Sequence, residues 1–235
     1  MGRAALARLA AVGLAAYASP SLAAVGALRY PGVVRRVAGD AVALTFDDGP
    51  HPEGTAAVLA ELERLGMTAT FYVVSSQARR APHVLRDIVA AGHELGLHGG
   101  RHVPHALVPP LILERGLARA RVEIEALAGV ELRTLRAPFG AASLSTLRFS
   151  ARTGMPLVGW SRWGRDWERG ATPESIARRS AAGVRAGDIL LLHDSDTYSA
   201  AGSWRRTVAA LSQIAERLAE AGLRTATVGA SLGSG

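Results

Sequence analysis

This chain of 235 residues has no cysteine, no lysine and no asparagine. Without cysteine there is neither a disulfide framework nor a thiolate metal site. Without lysine, all 27 basic side chains are arginine; against 20 acidic ones they give a formal net charge of +7 and a sequence pI near 11.0. A bias toward alanine, arginine and glycine accounts for much of this. The same charge attracts anionic surfaces such as phospholipid, teichoic acid or lipopolysaccharide. There is no basic stripe and no stacking set of aromatics, which speaks against nucleic acid as a partner. No Gly-x-Gly-x-x-Gly follows the first apolar run, which weakens a dinucleotide-binding reading. No internal repeat and no linker divides the chain. Its 49% hydrophobic and 20% charged content suits one globular domain with a well-filled core. A monomer is expected.

The N-terminus also lacks charge between residues 9 and 28, after Arg3 and Arg8. This run resembles a signal peptide, with Ala16-Tyr17-Ala18 or Ser21-Leu22-Ala23 as cleavage sites. It is also just long enough for an uncleaved anchor, although Gly13 and Pro20 interrupt it. Arginines flank both ends, so they set no clear orientation. Residues 1–29 are therefore expected to be a signal peptide or membrane anchor, and 30–235 the catalytic domain. Export or anchoring at a bacterial-type cell envelope follows; an extra helix packed on the domain is the alternative.

From residue 41 onward, apolar strand-like runs alternate with amphipathic ones. Strands are expected at 42–46, 69–74, 94–97, 134–135, 157–160, 189–192 and 225–228. Helices are expected at 55–65, 84–91, 111–128, 144–153, 174–186 and 205–221. The third helix places Leu113, Leu117, Ala120, Ile124 and Leu127 at a 3.6-residue spacing. A glycine follows each helical run (Gly66, Gly92, Gly129, Gly154, Gly187 and Gly222), where the left-handed conformation ends a helix. The pattern is an α/β fold with about seven parallel strands, closer to a closed barrel than to an open sheet.

Five segments carry chemistry: Thr45-Phe46-Asp47-Asp48-Gly49-Pro50, His98-Gly99-Gly100-Arg101-His102, Arg136-Ala137-Pro138-Phe139-Gly140, Asp166-Trp167 and Leu191-Leu192-His193. Each falls at the carboxyl end of an expected strand, and in a parallel barrel those ends share one face. Adjacent carboxylates on an extended chain point apart, so one can bind a metal while the other faces substrate. The His-x-x-x-His pair, placed on a helical turn, would with one carboxylate hold zinc, cobalt, iron or manganese. His105 could compete as a ligand, but Pro104 suggests that the loop has already turned away. Arg136 can grip a carboxylate. Trp160, Trp163 and Trp167 form an aromatic cluster suited to packing or to sugar contact. His193 emerges from a buried strand, where a neighbouring carboxylate would tune it. His51, His83 and His93 read as structural or solvated.

Taken in this order, the segments resemble the polysaccharide deacetylase family, the NodB-homology domain of carbohydrate esterase family 4. The resemblance covers residues 41–232. It implies a single-domain distorted (β/α) barrel that removes acetyl groups from N-acetylated sugars with one divalent metal, zinc first and cobalt, iron or manganese as alternatives. It also implies roles. Asp48, His98 and His102 would be metal ligands, and Asp47 the base acting on a water at the metal. Arg136 would orient Asp47, and His193 would be the acid for the leaving amine. Asp166 would hold either the arginine or the histidine. The Phe139 backbone N–H would stabilise the oxyanion, and Leu191 and Trp167 would wall the acetyl pocket. Three positions depart from the family pattern: Gly99 replaces Ser or Thr, Trp163 stands where an Asp often begins the Asp-x-x-Asp-Trp element, and Phe139 replaces a frequent Tyr.

Peptidoglycan, a chitin-like oligosaccharide and an envelope glycolipid are all compatible substrates. Two other functions compete. One is a hydrolase of O-acetyl esters or non-sugar C–N bonds on the same scaffold. The other is a silent carbohydrate-binding protein, which would have no use for both Asp47 and His193.

Overall fold

A computed structural model describes residues 3–21 and 31–233. The domain boundary expected at residues 29–30 lies outside the described residues, as does most of the Ser21-Leu22-Ala23 site. Helix α1 (Arg3–Ala18) is 16 residues long and ends at the other candidate cleavage site. No helix among the described residues is long and apolar enough to cross a membrane.

Eight strands are present among the described residues: β1 (Val33–Val34), β2 (Val42–Asp47), β3 (Thr70–Val73), β4 (Glu94–Leu97), β5 (Leu157–Val158), β6 (Arg162–Trp163), β7 (Ile189–His193) and β8 (Thr225–Ala226). All named pairings are parallel. The central order is β4-β3-β2-β7-β6, and β1 pairs with β5. Two details distort the barrel. Strand β2 uses one edge twice, pairing Val42 and Ala43 with β8 and residues from Thr45 onward with β3. The strand expected at 134–135 reduces to single bridges joining Leu135 to Leu97 and to Leu157. The run that begins with β5 then bends, and its far end, β6, pairs with β7. This run brings the ring close to closure. Strands β1 and β6 were not expected from the pattern; two-residue strands carry too little alternation to stand out.

Period-2 alternation decides what each strand turns inward. On β2, Val42, Leu44 and Phe46 pack with the helices in the main core, whereas Ala43 packs inside with Tyr72, Val158, Ile189 and Leu191. Asp47 shares the parity of Ala43, so it faces inward at the strand end. His193 shares the parity of Ile189 and Leu191. Gly96 on β4 has no room for a side chain, because a Cβ would lie 2.5 Å from the Tyr72 ring.

The helices on the outside are α2 (Gly54–Leu65), α3 (Ser75–Ala78), α4 (Pro82–Ala90), α5 (Pro110–Ala128), α6 (Leu144–Thr153), α7 (Pro173–Ala181), α8 (Ser203–Glu220) and α9 (Val228–Leu232). Reciprocal capping boxes start α6 (Ser143 with Thr146) and α7 (Thr172 with Ser175). Gly66 and Gly129 close α2 and α5 in the left-handed conformation, as expected. The helix expected to reach residue 186 stops at Ala181, and Gly187 caps nothing. Its amide donates to Ala41 O at 2.8 Å, and the Val37 carbonyl occupies the space of a Cβ. That glycine serves a close backbone approach. At the other end of the chain, β8 stops at Ala226 instead of 228, because Thr227 caps α9.

Candidate active site

The strand ends converge on a cavity of about 220 Å³. Asp47, Asp48, His98, His102, Phe139, Trp167, Leu191 and His193 all line it. Arg136 and Asp166 do not; both are fully buried.

Asp47 is the last residue of β2. Arg136 Nη1 donates to its Oδ1 at 2.7 Å, and its Oδ2 lies 3.7 Å from His98 Nε2. Every nitrogen of Arg136 is engaged. Nη1 also donates to Thr45 Oγ1 at 2.8 Å, Nη2 to Gly159 O at 2.9 Å and Nε to Val158 O at 3.3 Å. The guanidinium carbon lies over the Tyr72 ring, 4.1 Å from its centroid. This arginine is a pin through the barrel interior, not a solvated turn residue.

The divergence expected of adjacent carboxylates does not hold here. Asp48 has φ 80°, which ends the extended run and swings its side chain back toward His98. Asp48 Oδ1 stands 3.0 Å from His102 Nε2 and 3.5 Å from His98 Nε2. The two histidines are not on a helical turn. They sit on an irregular loop in which Gly99 has φ 98°. One donor atom from each of Asp48, His98 and His102 lies within 4.8 Å of the others.

These residues fit a divalent cation. Asp48 Oδ1 is buried and makes no properly directed hydrogen bond. His98 Nδ1 donates to the Arg136 carbonyl at 3.0 Å, so its Nε2 keeps a lone pair toward the cluster. Burial alone would raise the Asp48 carboxyl; the two imidazoles outweigh it and hold the group well below the usual carboxylate range. An anion and imidazole nitrogens form a borderline-soft donor set that suits zinc or its neighbours. His105 is not part of the cluster. It is buried against Thr146 Oγ1 at 3.2 Å, and burial, with the two nearby imidazoles, depresses its pKa to about 3, so it stays neutral.

His193 closes β7. Its Nδ1 lies 2.9 Å from Asp166 Oδ1, and Asp166 Oδ2 accepts from the His193 amide and from Thr207 Oγ1, both at 2.7 Å. Asp166 therefore holds the histidine, not the arginine. Burial works against protonating His193, but Asp166, then Asp48 and Asp47, outweigh it and raise its pKa to about 10. Trp167 meets the imidazole edge-on at 5.2 Å, and Trp163 and Trp160 continue the wall. Phe139 is left-handed at φ 57°, inside a 3-10 turn.

Two neighbours went unnoticed in the sequence. Tyr198 stacks on His102 at 4.3 Å with rings 14° apart, while Phe139 covers the same imidazole at 4.2 Å. Gln77 Nε2 donates to Tyr198 Oη at 2.9 Å. The loop bearing Tyr198 has no periodicity to flag it. Asp194 is buried behind the Asp48 turn and accepts from Thr55 Oγ1. Burial and the Asp48 charge outweigh that hydrogen bond and raise its carboxyl to about 7. Gly49 has no side chain because Asp194 Oδ2 would lie 2.3 Å from its Cβ. The signal was present in the Asp that follows His193.

Comparison with known proteins bears on the family of the chain. The family model described as polysaccharide deacetylase matches residues 35–158. A chitooligosaccharide deacetylase of Sinorhizobium fredii is 37% identical over 77% of this chain and 86% of its own length. A peptidoglycan-N-acetylglucosamine deacetylase of Bacillus cereus is 31% identical over 80% of this chain and 85% of its own. The crystal structure of the Bc1960 peptidoglycan N-acetylglucosamine deacetylase superposes with a TM-score of 0.79 at 25% identity, covering 85% of this chain and 92% of that one. The chain belongs to the polysaccharide deacetylase family.

Proposed function

We propose that this protein hydrolyses the N-acetyl group of an N-acetylglucosamine-containing glycan at the cell envelope, releasing acetate and a free amine. The observation that carries the reading is the pairing of each reactive group. Asp47 is backed by Arg136 and His193 by Asp166, and both face the Asp48, His98 and His102 cluster in one cavity. The names of the relatives support the glycan class and the envelope setting.

Asp48, His98 and His102 would hold a divalent ion, zinc by donor set, which when bound would polarise the acetyl carbonyl and lower the pKa of a water to roughly 7. Asp47 takes the proton of the attacking water, with Arg136 fixing the angle of its carboxylate. The Phe139 backbone N–H donates to the developing oxyanion. His193 gives its Nε2 proton to the leaving nitrogen while Asp166 holds Nδ1. Leu191 and Trp167, both lining the cavity, wall the acetyl methyl.

The chain stripped of metal should release no acetate from N-acetylglucosamine oligomers, and zinc or cobalt should restore release. Release that survives stripping, or that occurs only from acetyl esters, would overturn the reading.

The pH profile tests the acid. His193 donates only when protonated, so activity persists below its pKa and is lost above it. Replacing Asp166 by Asn removes the largest contribution that raises this pKa. A bound cation offsets the pull of Asp48 and Asp47 but leaves that of Asp166. The alkaline limb of kcat/KM is therefore expected to move to lower pH in Asp166→Asn by about 1 unit or more. An unmoved limb would remove His193 from the acid role.

A further inference from the structure

We infer that the rim formed by residues 103–112, together with the outer face of α1, docks on an anionic phospholipid bilayer. Within ten residues the chain exposes Val103, Leu107, Leu111 and Ile112, with Leu107 at 75% and Ile112 at 64%. Large aliphatics exposed singly are ordinary; a run of four beside a cavity mouth is not. Pro104, Pro109 and Pro110 restrict the segment, so the side chains are presented without much ordering cost. Helix α1 adjoins it. Tyr17 Oη donates to Val108 O at 2.9 Å, and α1 packs on the 3-10 turn His105–Leu107. Along α1, residues 10–16 are exposed, Val12 and Leu14 among them. Beyond Arg8 this helix carries no charge on any face, and an uncharged, exposed helical stretch calls for a low-dielectric cover.

The charge next to this apolar tip selects the occupant. Arg115 and Arg119 stand one and two turns along α5 from Leu111 and Ile112, and Arg101 flanks the other end; all three are exposed. Among the described residues none of the three forms an ion pair within 4 Å, although Arg119 lies close enough to Glu123 to help hold its carboxyl below the usual range. The carboxylates of this part of α5 are already engaged, Glu114 by Arg152 at 3.0 Å and Glu123 by Arg79 at 2.7 Å. Aliphatics at a tip with arginines one turn behind match the acyl boundary and the phosphate layer of a bilayer, which long arginine stems reach by snorkelling. A neutral protein partner gives no reason for the arginines. The docking segment continues directly from His102, so the cavity mouth, with Phe139 and Tyr198 exposed, would be held near the headgroups. The inference stands apart from the proposed reaction, because its test reads partition, not turnover.

The full chain is to be co-sedimented with vesicles of phosphatidylcholine, with and without phosphatidylglycerol. Binding is expected only with the anionic lipid, and should weaken as salt rises. Leu107→Ser, Leu111→Ser and Ile112→Ser combined should weaken partition about tenfold or more, as should Arg115→Glu with Arg119→Glu. These side chains are exposed, so thermal unfolding should stay unchanged. Three results would overturn the inference. One is no binding by the unaltered chain, and another is undiminished binding by the triple-serine variant, which would leave α1 as the sole contact. The third is a vesicle-free dimer that the triple substitution abolishes, which would make the face a contact between copies.

Discussion

Replacing Asp47 by Asn is expected to lower kcat for acetate release by about 10²–10⁴-fold, with little change in KM. The substitution is close to isosteric. An amide oxygen still accepts from Arg136 Nη1, now 2.7 Å from Asp47 Oδ1, so the side chain should keep its place. What it loses is the capacity to take a proton. Asp48, His98 and His102 are untouched, so zinc stoichiometry should be retained, and measuring it separates a lost base from a lost metal. A decrease of less than tenfold, with metal still bound, would assign the base elsewhere. The comparison is informative because Asp47 and Asp48 are sequence neighbours yet have different surroundings. Asp47 is paired with an arginine, and Asp48 with two imidazoles.

Arg136→Met is expected to destabilise the fold by about 3–5 kcal/mol, the usual loss when one member of a buried ion pair is removed. Arg136 is wholly buried, and its removal leaves Asp47 without its cation and two backbone carbonyls, Val158 and Gly159, without donors. Methionine approximates the aliphatic stem, so packing loss is a minor part. The Tyr72 ring beneath the guanidinium also loses its cationic partner. Denaturant unfolding of the single variants and of the Asp47→Asn/Arg136→Met pair would show the origin of the loss. With Asp47 already neutral, part of the Arg136→Met penalty should vanish, giving a coupling of about 0.5–3 kcal/mol. A single-variant loss below about 1 kcal/mol would mean that the barrel does not depend on this pin.

Much of the barrel could be read directly where strands are long enough to alternate. The 94–97 strand and the 144–153 helix coincide with β4 and α6, and 42–46 and 189–192 differ from β2 and β7 by one residue each. These strands carry reactive groups, and alternation puts Asp47 on the face of Ala43 and His193 on that of Leu191, while the closed sheet makes that face the inner one. Elements of two residues, such as β1 and β6, left no usable pattern, because they form only where a neighbouring strand supplies the hydrogen bonds. The helix ending at Ala181 misled for a related reason. Gly187 resembles a helix cap locally, but the carbonyl it accommodates belongs to Val37, distant in sequence.

By itself the sequence determined which chemical groups were available and on which side of each strand they fall, since side-chain parity and helix spacing are local properties of the backbone. With the family resemblance it also supplied the candidate ligands, base and acid, and the lack of cysteine excluded thiolate chemistry. Only the tertiary structure decided how those groups are partnered. The positive φ of Asp48 returned a diverging carboxylate to the histidines. Asp166 went to His193, while Arg136 found Asp47, Thr45 and the carbonyls of the Val158–Gly159 bend. Tyr198 and Asp194 joined the site from the loop after β7. Such partners lie tens of residues apart, so no local pattern encodes them; they meet because closing the barrel excludes water, and each buried polar atom must then find its partner inside.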